Sequence, residues 1–173
     1  MRNDTNLTLS LGCGEDPYGN VRLDFVPTGS ANVIGDCQQL PFKNDSFTEV
    51  YERNVFEHLP NPGQHLFEVK RVLREGGTLT LITDNASCLK YSLLRTHTGG
   101  YSKHHGKDKH FALFTKEHIK NFLELCGFQI TQLTFIDTDY FTRFFDKMVR
   151  LFIPSLSYPR ILAKAMKPML LDA

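Results

Sequence analysis

Residues 7–14 read Leu7-Thr8-Leu9-Ser10-Leu11-Gly12-Cys13-Gly14. Three leucines alternate with small polar residues, the period-two pattern of a strand. The strand runs straight into two glycines around a cysteine. Glycine lets the backbone turn sharply and leaves no side chain between the chain and a ligand. The next strand-like stretch, 21–25, carries Asp24 near its end. In an open α/β sheet, ligands lie beyond the carboxyl ends of the strands, where the glycine turn and Asp24 both fall. A carboxylate there is suited to accept hydrogen bonds from a pair of ribose hydroxyls.

Working outward, 32–34 predicts a short third strand and 49–54 a fourth, separated by the turn-rich stretch 40–47. Apolar residues Leu66, Phe67, Val69, Val72 and Leu73 predict an amphipathic helix over 63–74. Pro60 and Pro62 precede this helix, and Gly76-Gly77 follows it. Residues 78–83 alternate again and predict a fifth strand. A helix is expected over 87–95, a polar loop rich in Gly, His and Lys over 96–110, and a helix from the cap Thr115 to Cys126, ended by Gly127. Residues 128–137 predict a sixth strand. Apolar spacing over 140–152 predicts a helix, and a second helical stretch is expected over 161–169. Strands separated by helices imply a mostly parallel sheet.

Several motifs in order make the stretch 7–85 specific where a lone Gly-x-Gly is weak. They are Leu9-Ser10-Leu11-Gly12-Cys13-Gly14, then Gly35-Asp36 leading to Leu40-Pro41-Phe42 and Ser46-Phe47, then Val55-Phe56-Glu57-His58-Leu59, and Leu73-Arg74-Glu75-Gly76-Gly77 before the fifth strand. In this the chain resembles the class I S-adenosylmethionine-dependent methyltransferases, in their small-molecule branch. The resemblance extends more weakly to 115–128. It implies an α/β, Rossmann-like, mostly parallel sheet of about six to seven strands with helices on both faces. Residues 1–173 would form one domain, with 7–85 the cofactor-binding half and 86–173 the acceptor side. The family's early helices have no room here, since 14–21 and 25–32 are short and the first holds Pro17. One face of the sheet is therefore expected to be thinly covered, and the C-terminal tail, 140–171, helical.

Carried over residue by residue, the resemblance implies that Gly12, Cys13 and Gly14 pass under the methionine and ribose of S-adenosylmethionine. Asp24 would hold the ribose hydroxyls with Phe25 beside the adenine. Asp36 would accept the adenine amino group, with the Cys37 amide at a ring nitrogen. Asn54 would lie by the methionine portion, and His58 near the sulfonium as the candidate catalytic residue. The loop 96–110 reads as a lid over the acceptor, with Tyr101, His104, His105 and His110 as further candidates for a general base.

A nicotinamide dehydrogenase would need Gly-x-Gly-x-x-Gly opening a helix toward a pyrophosphate. Here the third position is Pro17. A methyltransferase-like scaffold without turnover is the second alternative. No metal is expected, because the histidine loop is studded with Lys103, Lys107 and Lys109. The 173 residues carry a net charge of +1, which offers no general electrostatic case for nucleic acid. The four cysteines are scattered and the N-terminus is polar, so a reduced, cytoplasmic protein is expected. The basic, aromatic tail would suit packing on the sheet or a homodimer face, or a membrane surface as the less favoured reading.

Overall fold

The computed structural model describes residues 6–92, 109–136 and 152–169. Seven strands form one sheet: β1 (Thr8–Leu11), β2 (Val21–Asp24), β3 (Val33–Ile34), β4 (Phe47–Arg53), β5 (Leu73–Asp84), β6 (Gln129–Ile136) and β7 (Arg160–Met166), in the order β3-β2-β1-β4-β5-β7-β6. The first five strands pair in parallel, and β7 lies antiparallel between β5 and β6. The order reverses between β1 and β4, which makes that crevice the switch point at which such sheets hold ligands.

Two neighbouring rows of residues show how the sequence divides the sheet. Val21, Leu9, Val50, Leu79, Ala165 and Ile130 lie side by side across six strands. One residue further along, Arg22, Ser10, Tyr51, Thr80, Lys164 and Gln132 form the next row. Successive residues of a strand point to opposite faces, so one face is apolar and the other polar. The helix α1 (Pro62–Val72) and the helix α3 (Lys116–Leu125) cover the apolar face, touching each other and joining their buried Leu66, Val69, Ile119 and Leu123 to one core. The single-turn helices α2 (Leu89–Ser92) and α4 (Pro154–Ser157) complete the described helices. The connections after β1 and β2 are turns without a helix, as the short spacings imply. Among the described residues no helix is long and apolar enough to cross a membrane.

Helix ends follow local chemistry. The Asn61 side chain accepts from the Gln64 N–H at 3.2 Å, with Pro62 at the first turn. Thr115 and His118 cap α3 reciprocally, side chain to backbone, at 3.3 Å each. Both are standard ways to satisfy orphan amides. The helix expected over 63–74 stops at Val72, because Leu73 is recruited into β5 opposite Phe47.

One expectation is corrected. Residues 161–169 do not form a helix, and Arg160–Met166 is a central strand. Ile161, Ala163 and Ala165 are buried on alternate positions. That period of two outweighs the helical spacing of Ile161, Leu162 and Met166 once β5 and β6 offer hydrogen-bonding edges on both sides. This half of the tail is therefore an interior strand of the sheet, its Ile161, Ala163 and Ala165 buried. The helix expected over 140–152 falls almost wholly outside the described residues, as do Tyr101, His104 and His105.

Candidate functional site

The site is built on the glycine turn after β1. Gly12 and Gly14 have φ of +57° and +52°, a left-handed conformation that costs any other L-residue energy. At Gly12 there is a second constraint, because a Cβ would collide with a methyl of buried Val55. At Gly14 a Cβ would meet nothing within 4 Å, so the turn faces open space there. Buried Cys13 ties the turn to β2 through its N–H, which donates to the Leu23 carbonyl at 3.3 Å.

Asp24 stands across from this turn. Its Oδ2 accepts from the Gly14 N–H at 2.9 Å and its Oδ1 from the Val26 N–H at 3.2 Å. The carboxylate is thereby aimed at the rim of the crevice, with lone pairs left for further donors. Phe25 follows it, 75% exposed. The Gly35 N–H donates to the Asp24 carbonyl at 3.0 Å, which brings the next turn alongside. There Asp36 Oδ1 accepts from the Gln38 N–H at 2.8 Å, an Asx turn.

On the other side of the switch point is Asn54, at the end of β4, with φ of +56°. Its backbone N–H donates to Ile82 at 2.8 Å and its side-chain amide to Glu57 Oε1 at 3.0 Å. A left-handed non-glycine residue held by surrounding bonds marks a functional or turn position. Between the two sides lies a cavity of about 360 Å³, lined among others by Gly12, Cys13, Asp16, Tyr51, Arg53 and Asn54.

Glu57 is the residue whose role the motif alone did not disclose. It is fully buried, and Thr83 Oγ1 donates to its Oε2 at 2.7 Å. Burial pushes its carboxyl above the usual carboxylate range, with the Thr83 hydrogen bond opposing. His58 stacks edge-on to His110 with ring centroids 4.7 Å apart, and its Nδ1 lies 3.0 Å from the Lys109 carbonyl. A carbonyl only accepts, so Nδ1 carries hydrogen and, in the neutral ring, Nε2 carries the lone pair. A Glu57 oxygen and one ring nitrogen each of His58 and His110 lie within 4.8 Å of one another. His110 is thus the one lid candidate among the described residues, and it meets His58.

Beneath the site, His65 of α1 is fully buried against Glu52 of β4, Nε2 to Oε2 at 2.6 Å. Helical spacing of apolar residues gave no signal for it. The stripe 65, 66, 69, 72 faces the sheet and leaves Phe67 52% exposed.

The chemistry of this site suits S-adenosylmethionine: Asp24 and Asp36 are acceptors of the kind its hydroxyl and amino donors need, a Cβ at Gly14 would meet nothing, and no helix opens after β1 to hold a pyrophosphate. The comparisons with known proteins agree. A methyltransferase domain model matches residues 9–81. A candidate methyltransferase from Bacillus halodurans is 22% identical, covering 95% of this chain and 94% of its own, with a TM-score of 0.64. A SAM-dependent methyltransferase from Methanosarcina mazei is 17% identical, covering 94% and 92%, also at 0.64. The same fold recurs in the cyclase SpnF, 15% identical over 97% and 78%, at 0.64. A methyltransferase domain model thus matches residues 9–81, and the sheet order and structural neighbours give the chain the Rossmann-like fold of S-adenosylmethionine-dependent methyltransferases.

Proposed function

We propose that the protein transfers a methyl group from S-adenosylmethionine to a small-molecule acceptor by in-line displacement. The observation that supports this reading is the glycine turn at the switch point, with Asp24 bonded to its Gly14 amide and Asn54 lining the same cavity as Gly12 and Cys13. In this reading Gly12, Cys13 and Gly14 underlie the methionine and ribose, and Asp24 holds the hydroxyls. Phe25 lies by the adenine, Asp36 and Cys37 read its edge, and Asn54 borders the methionine.

The cofactor supplies an activated methyl on a sulfonium, whose sulfur leaves neutral. No acid is then needed, and most of the rate comes from holding the acceptor in line. Where the acceptor must lose a proton, His58 Nε2 takes it, because the Lys109 carbonyl keeps the hydrogen on Nδ1. His110, which meets His58, borders the acceptor in this reading. The protein acts in the cytoplasm, without metal or nucleic acid.

Titration calorimetry with S-adenosylhomocysteine tests the site. Asp24→Ala and Asp36→Ala are each expected to weaken binding at least about tenfold, the worth of a charged hydrogen bond. Unchanged affinity in both would refute the site. A scaffold that binds cofactor without turnover is the second reading. Methyl incorporation from labelled cofactor into a metabolite pool separates the two.

A further inference from the structure

Helix α1 grips the segment 36–42 along its whole length. The Asn61 N–H donates to Gln38 Oε1 at 2.9 Å, Glu68 Oε2 accepts from the Leu40 N–H at 2.8 Å, and Arg71 donates to the Leu40 and Phe42 carbonyls at 3.0 and 2.8 Å. The innermost contact is His65, whose Nδ1 lies 3.0 Å from the Cys37 carbonyl while Nε2 meets Glu52. The Cys37 carbonyl only accepts, and so does Glu52 when ionised, so with Glu52 ionised the imidazolium, with hydrogen on both nitrogens, satisfies them together.

Burial alone would lower the histidine pKa, but the charge of Glu52 and the two hydrogen bonds outweigh it and hold His65 well above the usual histidine range. The titratable groups around it are Glu52 from β4, Cys37 from the turn, Cys126 at the end of α3 and Glu68 on α1, which is bound to Arg71. An ion pair this deep is a poor stabiliser, since an apolar pair often does as well. Glu52 Oε1 is moreover buried with no hydrogen-bond partner among the described residues.

The geometry supplies another use. The peptide between Cys37 and Gln38 is held at its carbonyl by His65 and donates its N–H to Asp36 Oδ1. His65 therefore fixes the peptide plane that aims the Asp36 carboxylate. We propose that His65, charged and paired with Glu52, is a positioning residue that orients the Asp36–Cys37 turn and thereby sets the preference for a 6-aminopurine nucleoside over a 6-oxopurine one. A 6-oxopurine presents an acceptor where Asp36 needs a donor. The inference rests on the reading of Asp36 as the adenine acceptor.

The test uses the full chain and two probes, S-adenosylhomocysteine and S-inosylhomocysteine, titrated by calorimetry at neutral pH. Wild-type protein is expected to prefer the adenosyl probe, and the ratio of the two affinities is the readout. His65→Gln is expected to lose about tenfold of that ratio, the worth of one charged hydrogen bond. A lower melting temperature with an unchanged ratio would mean a merely structural role and overturn the proposal. Asp36→Ala separates the two readings. If it leaves the ratio unchanged, the adenine assignment fails and this inference with it. If it collapses the ratio while His65→Gln keeps it, only the role of His65 is overturned. Should His65→Gln fail to fold, Glu52→Gln decides, and an unchanged ratio in that variant overturns the proposal.

Discussion

Substituting Gly12 by alanine tests the turn on which the site is built. Two costs are predicted from the structure. The left-handed backbone, with φ of +57°, costs an L-residue about 1–2 kcal/mol. The new methyl runs into Val55, which is 7% exposed and cannot swing aside, because a β-branched side chain has one favoured rotamer in tight surroundings. Overpacking of this kind costs about 1–3 kcal/mol. The sum, about 2–5 kcal/mol, corresponds to a fall in Tm of roughly 5–15 °C for a chain of this size. Adding Val55→Ala removes the colliding methyl but not the backbone cost. Urea denaturation of the four proteins in this cycle should therefore show a favourable coupling of about 1–3 kcal/mol between the two sites. The reasoning is refuted if Gly12→Ala costs less than about 0.5 kcal/mol or if the two substitutions simply add. Binding of S-adenosylhomocysteine should weaken in Gly12→Ala and recover only partly in the double variant, because the turn itself stays displaced.

Three further outcomes are expected. Asp24→Asn leaves a single accepting oxygen for the Gly14 and Val26 amides, so one of them faces an NH2 donor. Calorimetry should find S-adenosylhomocysteine affinity down about tenfold, with a modest fall in Tm. Glu57 has its folded pKa raised by burial, so the folded state keeps the proton longer than the unfolded chain. Stability from this group is full below about pH 4.5, the unfolded value, and is lost as pH rises through the folded one. Glu57→Gln, which cannot ionise, should therefore gain stability relative to wild type as pH rises above about 4.5; a difference constant with pH would contradict the buried-acid assignment. Ala163→Glu buries a charge in the central strand β7 and should abolish soluble folded protein in a circular dichroism and solubility assay. Tolerance of that change would support the helix expected from the sequence instead.

Local chemistry carried the front half of the molecule. The alternation of Leu7, Leu9 and Leu11, the glycines at 12 and 14, and Asp24 and Asp36 at strand ends were legible because each is a short-range statement about backbone shape or acceptor placement. The absent early helices were legible too, as chain length alone leaves no room for them. The strand at 160–166 was not legible. Its seven residues suit either period, and only pairing with β5 and β6, remote in the chain, selects the strand. His65 was missed for a similar reason. A polar residue on the buried stripe of α1 makes sense only beside Glu52 and the Cys37 carbonyl, which the fold brings together from three elements.

By itself, then, the sequence determined that a glycine turn follows β1 and that Asp24 closes the next strand, since those depend on residues close together in the chain. Tertiary structure alone decided that Gly12 is wedged against Val55, that Glu57 is a buried acid between Asn54 and Thr83, and that His58 meets His110. Each of those joins residues from separate elements. Their energies come from burial and contact, which exist only once the chain has closed around them.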